Sequence, residues 1–181
     1  MQAQPAATEA DLLTKAAAGN ALAVRALLDG YGAAVYGFLY ARVGGRSPVA
    51  EDLLQETLIE AVRSASTFRG ESSLKTWLCA IARHRLSRHY EAERRAALAR
   101  AGLTLVRESA DGDGDADVER RDEVTRALGV LPPLHRQVLV LKYLDDHSVD
   151  EIALELGRTR VQVQSLLQRA RAGLREELAA R

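Results

Sequence analysis

The sequence predicts an all-α protein of two small helical domains joined by a flexible acidic linker, and three observations carry that expectation. Aromatic residues make up only 4% of the 181 residues, whereas alanine, leucine and arginine abound. Unbranched side chains lose little rotamer freedom in a helix, so this composition favours helix over sheet. Apolar residues recur at three- and four-residue steps along most of the chain, and strand-like alternation is scarce. Between two such stretches lies ADGDGDADV, residues 110–118, which alternates glycine with aspartate and repels itself. The expected division is therefore 8–100, a flexible linker at 101–122, and 123–181.

Each element has its own signal. Thr8 with Asp11 makes a loose capping box, and Leu12, Leu13 and Ala16 begin a helix that Gly19-Asn20 interrupts. A longer helix carries Ala23, Leu27, Leu28, Tyr31, Val35 and Phe38 and stops at Gly44-Gly45. Ser47-Pro48 starts a third, with serine as N-cap and proline in the first turn, where its missing N–H costs nothing. It runs to about Ala65, with Leu54, Leu58 and Val62 facing inward. A polar loop, Ser66 to Ser73, leads into a fourth helix from Leu74 to near Arg95, whose stripe holds Leu74, Trp77, Leu78, Ile81, Ala82 and Leu86. Four helices with compatible stripes make a small bundle.

Beyond the linker, Val124 to Leu128 is helical, Leu131-Pro132-Pro133 marks a stop and restart, and His135 to Leu144 is helical again. Ser148-Val149-Asp150-Glu151 and Thr159-Arg160-Val161-Gln162 are both capping-box patterns. The helix between them ends at Gly157, which suits a left-handed C-cap. Two helices joined by a short glycine turn are the helix-turn-helix signature.

Net charge is zero, so only its distribution is informative. Residues 61–100 hold nine Arg/Lys against three Asp/Glu, a balance of +6. Residues 108–123 hold eight acids against two arginines, or −6, and residues 158–181 hold six arginines against two acids, or +4. Two basic blocks thus flank an acidic joint. The single cysteine, Cys79, excludes an intrachain disulfide framework and fits a reducing compartment. The start, MQAQPAATEADLL, has no basic and apolar signal pattern, and no apolar run suggests the ~20 residues that span a bilayer. The expectation is a soluble cytoplasmic protein without membrane insertion.

No P-loop, GxSxG elbow or HExxH pair occurs, so the chain reads as no enzyme and needs no cofactor. Asp111, Asp113 and Asp115 begin like a calcium loop, but Ala116 stands where glycine is required and Asp122 where a bidentate glutamate belongs. Cys79, His84 and His89 are spaced by five, which does not align metal ligands on one helix face.

Three constellations remain. In the C-terminal helix pair, Val149, Ile152, Ala153 and Leu156 form one stripe and Val163, Leu167, Ala170 and Leu174 another. The opposite face of the second helix presents Arg160, Gln162, Gln164, Ser165, Gln168, Arg169 and Arg171, side chains that suit base edges and phosphates in a major groove. An ordinary helical hairpin with a solvated face is the plain alternative. The second constellation sets Phe68 and Trp77 among Arg69, Lys75, Arg83, Arg85 and Arg88; an aromatic beside cations can stack an unpaired base, and equally Trp77 can fill the core. The third is AEDLLQET, where Asp52, Gln55 and Glu56 share one helix face. By physics alone that is a solvated acidic surface.

AEDLLQETLIEAVRS followed by FRGESSLKTWLCAIARHRLSRHY resembles region 2 of bacterial RNA polymerase sigma factors of the extracytoplasmic-function (ECF) class. LGVLPPLHRQVLVLKYLDDHSVDEIALELGRTRVQVQSLLQRARAGLREEL resembles their region 4, so the likeness covers roughly Thr8 to Leu178. It implies that Asp52, Leu53, Gln55 and Glu56 dock on the clamp helices of the largest subunit of core RNA polymerase. Phe68, Arg69 and Gly70 would belong to the loop that captures a flipped base of the minus-ten promoter element, with Lys75, Trp77, Arg83, His84 and Arg88 on the helix that engages it. Arg158, Thr159, Arg160, Gln162, Gln164, Ser165, Gln168, Arg169 and Arg171 would read the minus-thirty-five element. The linker would thread toward the RNA exit path, and an anti-sigma partner is implied.

The chain departs from the family pattern at His84, where asparagine is usual, and at Arg88, where an acid is frequent. Gln164, Leu166 and Gln168 replace common basic residues of the recognition helix. Two rivals stay open on the sequence: a stand-alone helix-turn-helix regulator, and a clamp-occupying decoy that has lost promoter recognition.

Overall fold

The computed structural model describes residues 5–100 and 116–180. Its described residues form eight α-helices and no strand: α1 (Pro5–Ala17), α2 (Ala21–Arg42), α3 (Ser47–Arg63), α4 (Leu74–Arg100), α5 (Ala116–Val130), α6 (Pro133–Tyr143), α7 (Val149–Leu156) and α8 (Arg160–Ala179). A 3₁₀ turn at Ala65–Thr67 follows α3. The all-α expectation holds. The described residues fall into two compact units, one from residues 5–40 and 48–88, the other from residues 41–47, 89–100 and 116–180.

In the first unit α1 starts at Pro5, so Thr8 lies inside the helix rather than capping it. Proline is well placed there because an initial N–H has no intrahelical partner anyway. Gly19 takes a left-handed φ of 81°, and Asn20 then caps α2 by accepting from Leu22 and Ala23 N–H at 3.0 and 3.1 Å. By length and composition α2 could cross a membrane, which amends the sequence expectation that no such run exists. Here Ala23, Leu27, Val35 and Leu39 of α2 are buried together with Leu13, Leu53, Leu74, Leu78, Ala82 and Leu86.

On α3 the buried stripe is Ala50, Leu53, Thr57 and Ala61, while Leu54, Leu58 and Val62 are half-buried at its edge. That corrects the inward assignment of the three larger residues. Small side chains let helices approach closely, and the Thr57 hydroxyl is satisfied locally, donating to Leu53 O at 2.6 Å.

The second unit is built on α5 to α8. Leu128, Leu131, Val138, Leu139, Ile152, Leu156, Val163, Leu166, Leu167 and Ala170 form its core. The part of the expected linker at 101–115 lies outside the described residues, whereas 116–122 is helical and opens α5. Gly114 is the last glycine of the expected linker, and the glycine-free stretch beyond it is compatible with helix. The same unit buries ionic groups. Glu93 accepts from Arg46 and Arg136, each at 2.5 Å, and Arg42 reaches Asp145 at 2.8 Å. Tyr90 donates to Arg42 O at 2.6 Å.

Candidate nucleic-acid and polymerase surfaces

The helix-turn-helix is specified locally. Ser148 Oγ accepts from Glu151 N–H at 3.2 Å while the Glu151 carboxylate accepts from Ser148 N–H at 2.7 Å. Thr159 and Gln162 repeat the arrangement at 3.3 and 2.9 Å, so both expected capping boxes are formed. Gly157 sits at φ 60°, ψ 41°, and Arg158 N–H bonds back to Ala153 O at 2.9 Å, closing the turn between the helices.

This turn aims α8. Val163, Leu166, Leu167 and Ala170 face the core, so Leu166 points inward and is no part of the outer surface. Thr159, Arg160, Gln162, Gln164, Ser165, Gln168, Arg169 and Arg171 are all exposed, with Arg158 half-buried beside them. Three of the arginines have partners on their own unit, Arg169 through an Nε–H that donates to Ser165 O at 3.4 Å. Arg160 pairs with Asp150 at 2.7 Å, both largely exposed, and such a pair is weak enough to give way to a phosphate. Arg171 donates to the Tyr143 hydroxyl at 2.7 Å and lies over its ring at 5.7 Å. Tyr143 rims an open apolar hollow of about 510 Å³ lined also by Val124, Leu128, Leu139 and Leu144, which the sequence reading did not anticipate.

In the first unit the loop after the 3₁₀ turn borders an open cavity of about 470 Å³ lined by Thr67, Phe68, Arg69, Gly70, Ser72 and Trp77. Gly70 adopts φ 71°, a backbone state that favours glycine. Phe68 is buried and meets Trp77 edge-on, with centroids 5.4 Å apart at 61°. Trp77 is half-buried, so the pair is at once core packing and cavity wall. Lys75, Arg83, His84 and Arg88 are exposed along α4, as is Arg69 in the loop. The Arg83 guanidinium lies 5.7 Å from the Phe38 ring centroid, and Arg85 is held by Glu60 at 2.5 Å.

On α3, Asp52, Gln55 and Glu56 are exposed on one face. Leu53, grouped with them on sequence, is 4% exposed and serves the bundle core. It stands three residues from Ala50 and four from Thr57 on the inner stripe, so it offers no surface. Among the described residues no group of three or more His, Cys, Asp or Glu is placed to hold a metal ion.

Two family profiles match the chain: "Sigma-70 region 2" over residues 27–96 and "Sigma-70, region 4" over residues 121–174. The ECF RNA polymerase sigma factor SigX of Bacillus subtilis is 30% identical over 169 residues, which cover 84% of this chain and 81% of SigX. BldN of Streptomyces coelicolor is 30% identical over 88% of this chain, and SigG of Mycobacterium tuberculosis (strain CDC 1551 / Oshkosh) 36% identical over 74%. The match spans only 62% of BldN and 43% of SigG. The sigma factor RpoE of Bartonella quintana, solved in complex with the anti-sigma factor NepR, shares the fold at a TM-score of 0.51 and 24% identity, over 86% of this chain and 96% of that one. In chain order a helical bundle comes first and a helix-turn-helix follows. The chain belongs to the sigma-70 family of RNA polymerase sigma factors, in its ECF class, a family of initiation factors rather than enzymes.

Proposed function

We propose that this chain binds core RNA polymerase and directs it to promoters in the cytoplasm, reading two DNA elements with two helical modules. The observation that carries the reading is the outer face of α8. Its glutamines and arginines stand free of the core on a helix whose N-terminus is fixed by a capping box and a glycine turn. Glutamine can pair bidentately with adenine, and arginine with guanine or phosphate. The residues from Arg158 to Arg171 are assigned to the minus-thirty-five element within the 123–181 segment. Phe68, Arg69, Gly70, Lys75, Trp77, Arg83, His84 and Arg88, within the 8–100 segment, are assigned to the minus-ten element.

Asp52, Gln55 and Glu56 are the surface assigned to the clamp helices of the largest polymerase subunit by the resemblance to region 2, and their exposure on one face of α3 is compatible with that assignment. Phosphate contacts position such a protein and base contacts specify its site. Mounting both modules on one polymerase raises the effective concentration of each at its element, so individually weak contacts suffice. An anti-sigma partner that restrains the chain belongs to the same reading. The test is co-purification with core polymerase followed by transcript-start mapping after overexpression. New starts sharing two upstream motifs support the reading, and a chain that leaves core polymerase unbound refutes it.

A further inference from the structure

The loop beside Trp77 is supported from behind by a helix outside the matched family segment. α1 ends at Ala17, ahead of the region 2 match that begins at residue 27. Its Glu9 carboxylate accepts from Leu74 N–H through Oε2 at 3.0 Å and from the Tyr31 hydroxyl through Oε1 at 2.9 Å. Leu74 is the first residue of α4 and is fully buried, so neither water nor an intrahelical carbonyl serves its N–H. Ser73 Oγ meets the next need of that turn, accepting from Thr76 N–H at 3.2 Å. A carboxylate there also faces the positive pole of the helix.

α1 further packs against the 3₁₀ turn at Ala65–Thr67, so one helix braces both ends of the 66–73 loop. Phe68 follows the turn at one end, Trp77 lies in the first turn of α4 at the other, and the two rings meet across the cavity wall.

We propose that Glu9 is a positioning residue for strand capture: by bridging the first N–H of α4 to Tyr31 it sets the placement of Trp77 against Phe68, and with it the width of the cavity that takes an unpaired promoter base. The proposal rests on the assignment of that cavity to the minus-ten element. The surroundings of Tyr31 agree with it, since burial, then the hydrogen bond to Glu9 and its charge, raise the phenol pKa above its ordinary value.

The test uses holoenzyme assembled from core polymerase and the full chain, as wild type, Glu9→Ala or Glu9→Gln, on a duplex that wild-type holoenzyme selects from genomic fragments. Three quantities are read: open-complex lifetime after competitor challenge, affinity for core polymerase, and phenolate absorbance of the free chain against pH. Glu9→Ala is expected to shorten the lifetime about tenfold, as for loss of one hydrogen bond to a charged group, with core affinity unchanged. Glu9→Gln is expected to restore the lifetime, because its amide oxygen can accept from Leu74 and its NH₂ can donate to the Tyr31 oxygen, while one phenol titrates lower than in the wild type. An unaltered lifetime in Glu9→Ala, a parallel loss of core affinity, or a phenol indifferent to Glu9→Gln overturns the proposal. A wild-type holoenzyme that selects no duplex overturns the functional reading itself, and this proposal with it.

Discussion

Glu93 lies at the centre of the second unit's ionic cluster, accepting from Arg46 and Arg136 with His89 Nε2 at 3.4 Å. Desolvation alone would raise its pKa. The nearness of His89, the hydrogen bond from Arg46 and the charges of Arg136 and Arg46 outweigh that burial and hold the carboxyl well below its usual range. A carboxylate depressed in the folded state contributes stability above its unfolded pKa of about 4.3 and loses it as pH falls further. Glu93→Gln would leave the Arg136 side chain, 2% exposed, without its counter-charge, at a cost of about 3 kcal/mol near neutrality. Denaturant melts of both chains across pH should show that gap shrinking as acid is added below about pH 4.3; a constant gap contradicts the account. Nothing in PLHRQVLVLKY announces this arginine as interior. Residues 136–141 of α6 are all buried, so the helix has no polar face from which Arg136 could be read as a break in pattern.

At the scale of single elements, the legible parts were those fixed by local chemistry. Both capping boxes and the glycine turn need only residues within a few positions of one another, and α7 and α8 form where the pattern placed them. Gly157→Ala tests this directly. No atom lies within 4 Å of the added methyl, so the only cost is a left-handed backbone at φ 60°, about 1 kcal/mol. Equal denaturation midpoints for Gly157→Ala and wild type would contradict the assignment of that turn. What was less legible depended on partners distant in sequence. The sequence pattern turns the large aliphatics Leu54, Leu58 and Val62 of α3 inward, yet Ala50, Leu53, Thr57 and Ala61 are the buried residues. Leu166 stands where basic residues are common in the recognition helix, yet it joins the core. Glu9 gave no signal, because its role depends on Leu74, 65 residues away.

Across the whole chain, the two family matches fall in the order that the resemblance implies, and residues 101–115 between them lie outside the described residues. On the proposed reading polymerase would meet an acidic surface and DNA a basic one, and the two should fail separately. Asp52→Lys, at an exposed position, should weaken core-polymerase binding about tenfold through charge reversal and leave the melting transition in place. Unchanged core affinity by titration would move the docking surface elsewhere.

The central claim is that promoter choice resides in this chain. Run-off transcription by core polymerase on fragmented genomic DNA, with and without the purified chain, measures it directly. Discrete transcripts that appear only with the chain are the predicted result. A chain that binds core polymerase yet yields no specific transcript would contradict the account and turn it toward a decoy that only occupies the clamp.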